Sequence, residues 1–246
     1  MELESFMSAK IIAICNQKGG AGKTTVALNL SGSLGRRNYR VAVVDGDEQS
    51  SLVEIASLAP EDKLLPANVM GLWKAGREIH QEIKRFIDLY DYIIVDCPPA
   101  ANSPIAQSSL LVADMVIVPF IPGTIDALAA PMIRDAIESA QIINQGLKAF
   151  LLLNRVEEGW NISKQIIDIL PKFKMPQLKT KLTKRAAYVE SPGIGNSVHE
   201  LKGKKEKIEP VITEIELFVD EILSILNSSS ETYNLENREY DLEKAE

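Results

Sequence analysis

The stretch NQKGGAGKTT, residues 16–25, decides how this chain folds. It is preceded by the apolar run IIAIC (11–15) and followed, from about Lys23, by a pattern with helical periodicity. Gly22, Lys23 and Thr24 fit the second half of the pattern G-x-x-x-x-G-K-[ST], in which a strand runs into a glycine-rich loop and the loop into a helix. Gln17 stands where the first glycine of that pattern belongs, and a second lysine, Lys18, follows it. In such a loop the backbone N–H groups turn inward toward phosphate oxygens, and the helix start adds the positive end of its dipole. Lys23 is then expected to reach the β- and γ-phosphates of a nucleotide and the Thr24 hydroxyl to ligate Mg²⁺.

Working outward, short apolar runs recur: VAVVD (41–45), YIIVD (92–96), MVIVP (115–119) and AFLLL (149–153). They lack polar alternation, as strands of a parallel sheet do when helices cover both faces. Helical patterns lie between them at about 23–35, 48–58, 76–88, 103–112 and 126–145, and again at 159–170 and 211–226. In the last, Ile212, Ile215, Val219, Ile222, Leu223 and Leu226 share one stripe. The expected fold class is α/β, a doubly wound, mostly parallel sheet flanked by helices, with ligands at the carboxyl ends of the strands. The 246 residues, 46% hydrophobic and 25% charged, suit one such domain. It is expected to span 1–227, with the polar, acidic NSSSETYNLENREYDLEKAE as a mobile tail over 228–246.

Two cysteines far apart in the chain, Cys15 and Cys97, exclude a disulfide framework and favour a cytosolic setting. The acidic first residues lack the apolar core of a signal peptide, and no run is long enough to span a bilayer, so neither a signal peptide nor a membrane span is expected.

Three further sites follow strands. VVDGDEQSS (43–51) puts Asp45 and Asp47 at a strand end facing the loop; one can hold Mg²⁺ or its waters while the other orients an attacking water. YIIVDCPPA (92–100) ends a strand in Asp96, a candidate for the Mg²⁺ water shell, and Pro98 and Pro99 stiffen the segment behind it. LLLNR (151–155) places Asn154 just past a strand, where its amide can either read a base or cap a turn. As for Lys18, a second ammonium aimed inward would crowd Lys23; aimed outward, it could neutralise phosphate held by another copy, working in trans as an arginine finger does.

KGGAGKTT (18–25) resembles the deviant Walker A signature of the ParA/MinD ATPases. The resemblance implies a P-loop NTPase fold, ATP/ADP and Mg²⁺ as cofactors, and a nucleotide-binding set of Lys18, Gly19, Gly20, Ala21, Gly22, Lys23, Thr24, Thr25 and Asn154, the last recognising adenine. It implies Thr24, Asp45 and Asp96 as the metal set, and Lys18, Lys23 and Asp47 as the catalytic set, with Lys18 crossing an ATP-bound homodimer to the partner's nucleotide. VVDGDEQSS departs from the family's D-x-D-P-Q at Glu48. DCPP (96–99) is similar to partition proteins of the ParA/Soj type without an N-terminal helix-turn-helix domain. That likeness implies plasmid or chromosome segregation, a ParB-like partner, and a cytoplasmic, nucleoid-associated protein.

Charge bears on the partner. The chain carries net −7, yet residues 172–207 hold ten Lys/Arg against three Glu, a local balance of +7. Such a run is either a solvated face or a sequence-independent footprint for duplex phosphates. The family likeness favours DNA, with Lys184 and Arg185 first and Lys202, Lys204 and Lys205 beside them. Two other readings share the motifs: a MinD-like membrane-cycling regulator, against which the acids of 211–226 and of the tail argue, and an ATP-dependent positioning factor for a cargo other than DNA.

Overall fold

The computed structural model describes residues 8–122, 130–157 and 170–228. Six strands form one sheet: β1 (Lys10–Ile14), β2 (Val41–Asp45), β3 (Asn68–Gly71), β4 (Tyr92–Asp96), β5 (Met115–Phe120) and β6 (Lys148–Leu153). Their order is β3-β2-β4-β1-β5-β6, and every pairing is parallel. The five expected runs are all strands. β3 is an addition: four half-exposed residues at the sheet edge, too short to show a pattern of their own.

Helices cover both faces. α1 (Lys23–Arg36), α2 (Ser51–Ser57), α3 (Ile79–Lys84), α4 (Pro104–Leu110), α5 (Ala130–Ile143), the single turn α6 (Ala187–Glu190) and α7 (Lys205–Asn227) follow in chain order. One core layer packs Ala13, Val44, Ile93 and Val95 against Ile83, Leu110 and Ile133. The opposite layer packs Ile12, Ile14, Val43 and Ile94 against Leu30, Leu34 and the apolar stripe of α7. Strands with buried residues on both faces explain the unbroken apolar runs.

Two helices start later than expected. Residues 47–50 make a turn, with the Ser50 amide donating to the Asp47 carbonyl at 2.9 Å and Ser50 at φ 50°, so α2 begins only at Ser51. Gly76, at φ 53°, breaks the 76–88 pattern, leaving a 3₁₀ stretch over Trp73–Glu78 ahead of α3. The helix expected at 159–170, Trp160 and most of the acidic tail lie outside the described residues.

In α7, Ile215, Val219, Ile222 and Leu226 are buried as the stripe requires, joined by Val211 and Phe218; Ile212 and Leu223 are only partly covered. Its acids, read from sequence as a face that lipid would repel, are clasps. Glu216 accepts from Arg37, Ser33 and His199, and Asp220 from Arg37. Glu214 accepts from Thr183 and Tyr188, and Glu221 from the amides of Lys179 and Thr180. The helix thus ties α1 and the basic loops to the sheet.

Candidate nucleotide site

The chain turns from β1 leftward to β2 and, after β4, crosses over to β5 on the other side of β1, so the sheet's switch point lies at the carboxyl ends of β1 and β4. Register places Ile14 beside Asp96 and Asp45 beside Asp96, which brings the loops after β1, β2 and β4 into one crevice.

Residues 16–22 form the loop that links β1 to α1. Gly20 (φ 78°) and Gly22 (φ 93°) occupy the left-handed region, which turns the backbone back on itself at little cost only for glycine. At Gly22 space is closed as well: an added Cβ would lie 2.3 Å from Asn154 Nδ2. Among the described residues, no amide from Gly19 to Gly22 donates to a protein acceptor, and α1 starts without a side-chain cap. A row of amides without protein acceptors ahead of a fourteen-residue helix is suited to an anion. Lys23 is buried, and its ammonium donates to the Lys18 carbonyl at 3.1 Å, across the mouth of the loop. Lys18 is half-exposed, and its amide donates to Asn16 Oδ1 at 3.3 Å. Thr24 and Thr25 are half-buried on the first turn of α1.

The carboxylates differ in environment. Asp96 is buried, its Oδ1 has no partner, and the Thr24 hydroxyl lies close enough to its carboxyl to favour the charged form. Burial pushes its acid up to about 7; the Thr24 hydroxyl and the Lys23 charge oppose this, and Asp45 adds to it. A buried oxygen with no donor, beside a threonine hydroxyl at a phosphate loop, fits a divalent cation. Thr24 and Asp96 are therefore the residues that would hold Mg²⁺, which would neutralise phosphate charge there.

Asp45 is also buried, and burial raises its pKa against three backbone hydrogen bonds. Its Oδ1 accepts from the Asp47 amide at 3.1 Å, and its Oδ2 from Leu52 and Val53 at 2.9 and 3.1 Å. In this structure Asp45 shapes the turn that carries Asp47 and caps α2. Asp47 is half-exposed, and its Oδ1 accepts from the Gln49 amide at 3.1 Å. Asn154 is likewise engaged: its amide donates to the Ala21 carbonyl at 2.8 Å and its oxygen accepts from the Arg155 amide at 2.9 Å. It braces the loop, and a base contact would share the remaining hydrogen of its NH₂ group.

Two features escaped the sequence. Cys15 and Cys97, 82 residues apart, meet as free buried thiols with sulfurs 2.9 Å apart, because the register that pairs Ile14 with Asp96 aligns the next residues too. Their hydrogen bond and burial hold the Cys97 thiol well above its usual range. Gln17, the departure from the expected glycine, accepts from Ala100 N–H through its carbonyl (3.1 Å) and from Ala101 N–H through its Oε1 (2.7 Å). Neither is visible locally, since each depends on strands paired far along the chain.

The basic residues gather at the other end of the molecule's chain. Lys184, Arg185, Lys202, Lys204 and Lys207 line a cleft of about 520 Å³ with Glu157, Glu190 and Glu206, five cations against three carboxylates for a net of +2. This is weaker than the +7 of the linear segment. Lys184 pairs with Glu157 at 3.0 Å, Lys205 with Glu209 at 3.0 Å, and Arg185 with Glu214 at 3.6 Å while donating to Thr183 Oγ1. Arg185 is thus woven into the α7 clasp, whereas Lys184 stays exposed.

Residues 12–226 match the model of the CobQ/CobB/MinD/ParA nucleotide binding domain. The chain is 29% identical over 208 residues to the maintenance of carboxysome distribution protein A of Halothiobacillus neapolitanus, covering 83% of this chain and 95% of that protein. It is 24% identical over 241 residues to the chromosome partitioning protein ParA of Myxococcus xanthus, covering 79% and 83%. Among solved structures, the ATP complex of a McdA variant from Cyanothece superposes with a TM-score of 0.68 at 18% identity over 88% of this chain and 97% of that one, a likeness of fold.

Proposed function

The chain belongs to the CobQ/CobB/MinD/ParA nucleotide-binding family, and from that premise we propose that it is an ATP-hydrolysing positioning factor: ATP closes two copies face to face, the pair binds DNA without regard to base sequence, and hydrolysis lets go. The observation that carries this reading is the division of labour between two lysines. Lys23 lies buried with its ammonium donating to the Lys18 carbonyl, whereas Lys18 itself is half-exposed. Inside one subunit the phosphates would already have Lys23, the loop amides and the start of α1; a second, half-exposed cation at the start of the loop suits the phosphates of a facing copy.

The residues divide the work as follows. The loop amides and Lys23 bind the triphosphate, Thr24 and Asp96 hold Mg²⁺, and Asp45 fixes the turn on which Asp47 faces the crevice as the group that orients water. Lys184, Lys202 and Lys204, doubled by the dimer, supply the footprint for DNA phosphates. The cargo reading favoured by the match to a carboxysome distribution protein along 95% of its length is a protein-built body. Segregation of a plasmid or chromosome with a ParB-like partner is the second reading, favoured by DCPP at 96–99 and the match to a chromosome partitioning protein. Membrane cycling finds no support in the described residues: no helix there is long and apolar enough to cross a bilayer, and the apolar stripe of α7 is covered by the core.

The test is a DNA titration with ATP, with ADP and without nucleotide, on the native protein and on Lys18→Ala. ATP-dependent, salt-sensitive binding that the variant loses is expected. Equal binding in all three nucleotide states would overturn the cycle.

A further inference from the structure

The segment behind Asp96 has few ways to anchor itself. Pro98 and Pro99 carry no N–H, so between residues 98 and 101 the amides of Ala100 and Ala101 are the only donors. Both go to one residue, Gln17: Ala100 to its carbonyl at 3.1 Å, Ala101 to its Oε1 at 2.7 Å. Ala100 sits at φ 89°, a backbone shape that alanine seldom adopts and that persists only when its surroundings impose it. From there the Ser103 amide donates back to the Ala100 carbonyl at 3.0 Å, and Ser103 Oγ caps α4 by accepting from Ala106 N–H. On the other side, Gln17 is followed directly by Lys18 and the glycines of the phosphate loop.

We propose that Gln17 is a positioning residue: it latches the Pro98–Ala101 segment to the phosphate loop, holding Ala100 in its unfavourable shape, so that the segment behind the metal-binding aspartate keeps the place needed for turnover. A glycine at position 17, as in the usual pattern, has no side chain to reach Ala101, which accounts for the departure at this position. Because Gln17 points at the backbone of 100–101 and not into the loop's row of amides, its loss acts on turnover more than on nucleotide affinity. The kinetic part of this inference rests on the ATPase reading above; the structural part does not.

The variant is Gln17→Met, which matches the length of the side chain without an acceptor. Hydrogen exchange on the nucleotide-free protein reads the latch directly at Ala101, whose acceptor the variant lacks, while Ala100 keeps the backbone carbonyl of residue 17. Exchange at Ala101 is expected to quicken by about tenfold, the factor one hydrogen bond is worth. With Mg·ATP, kcat is expected to fall by about tenfold while KM stays within about twofold. Glycine adopts positive φ without help, so Gln17→Met/Ala100→Gly is expected to recover most of kcat. A generally weakened fold would instead lower the active fraction without rescue. Unchanged exchange at Ala101 overturns the latch. Lost protection with native kcat, or a kcat loss that Ala100→Gly leaves in place, overturns its role in turnover. A native protein that keeps those amides protected yet hydrolyses no ATP overturns the ATPase reading instead, and the positioning role with it.

Discussion

Replacing Asp96 with asparagine should move stability and metal response in opposite directions. The carboxylate is buried, its Oδ1 is unpartnered, and burial pushes its pKa up to about 7 in the metal-free protein. An unfolded chain holds the same group near 3.9. A folded-state pKa above the unfolded one means that stability is fully present at low pH and is lost as pH rises through the folded value. The difference of about three pKa units corresponds to about 4 kcal/mol, reached progressively between about pH 4 and pH 7 and level above that. Asparagine has nearly the same shape and carries no charge. Urea unfolding with a chelator present, at pH 5 and pH 8, should therefore find the Asp96→Asn protein more stable than the native one at pH 8 by a few kcal/mol. At pH 5 the gap should be smaller. Adding Mg²⁺ and a non-hydrolysable ATP analogue should stabilise the native protein and leave the variant much less affected, because the unpartnered oxygen is what the cation would take up. Parallel pH profiles for the two proteins would refute the burial argument, and an equal gain from Mg²⁺ in both would refute the metal assignment.

Other expectations follow from the same geometry. Gly22→Ala meets both a φ of 93° and a contact 2.3 Å from Asn154 Nδ2, so binding of a fluorescent ATP analogue should be lost while the far-ultraviolet circular dichroism stays native. Phe218→Ala removes a fully buried ring between α7 and the sheet and should cost about 3–5 kcal/mol in urea unfolding. Lys184→Ala should weaken DNA binding for all sequences alike and reduce the salt slope by about 1 per site in a fluorescence titration. Arg185→Ala should show its main effect as a lowered melting temperature, since the guanidinium is tied to Glu214 and Thr183.

Much of the site was legible because its signals are local. Gly22-Lys23-Thr24 opens the helix that follows a strand and a short loop, and Asp45, Asp96 and Asn154 each stand at or just past the carboxyl end of an apolar strand. What was not legible depends on pairing between distant strands. The meeting of Cys15 with Cys97, and of Gln17 with Ala100 and Ala101, is set by the register of β1 against β4. β3 was missed because four half-exposed edge residues give no periodicity, and its place is fixed by pairing with β2. The acids of α7 illustrate a third limit. Their charge was plain, but only the folded chain shows that Glu214, Glu216 and Glu221 bind loops and an arginine instead of facing solvent. The basic segment shows the same limit from the other side: its linear excess is partly cancelled by Glu157, brought in from before the segment.

The central claim is that Lys18 serves a facing copy's phosphates. Sedimentation of the native protein and of Lys18→Ala, each saturated with Mg²⁺ and a non-hydrolysable ATP analogue, tests it most directly. The account predicts that the native protein sediments with the mass of two chains and that the variant binds the analogue but stays at the mass of one. A native protein that remains a single chain at every concentration, or a variant that pairs as readily as the native one, would contradict it.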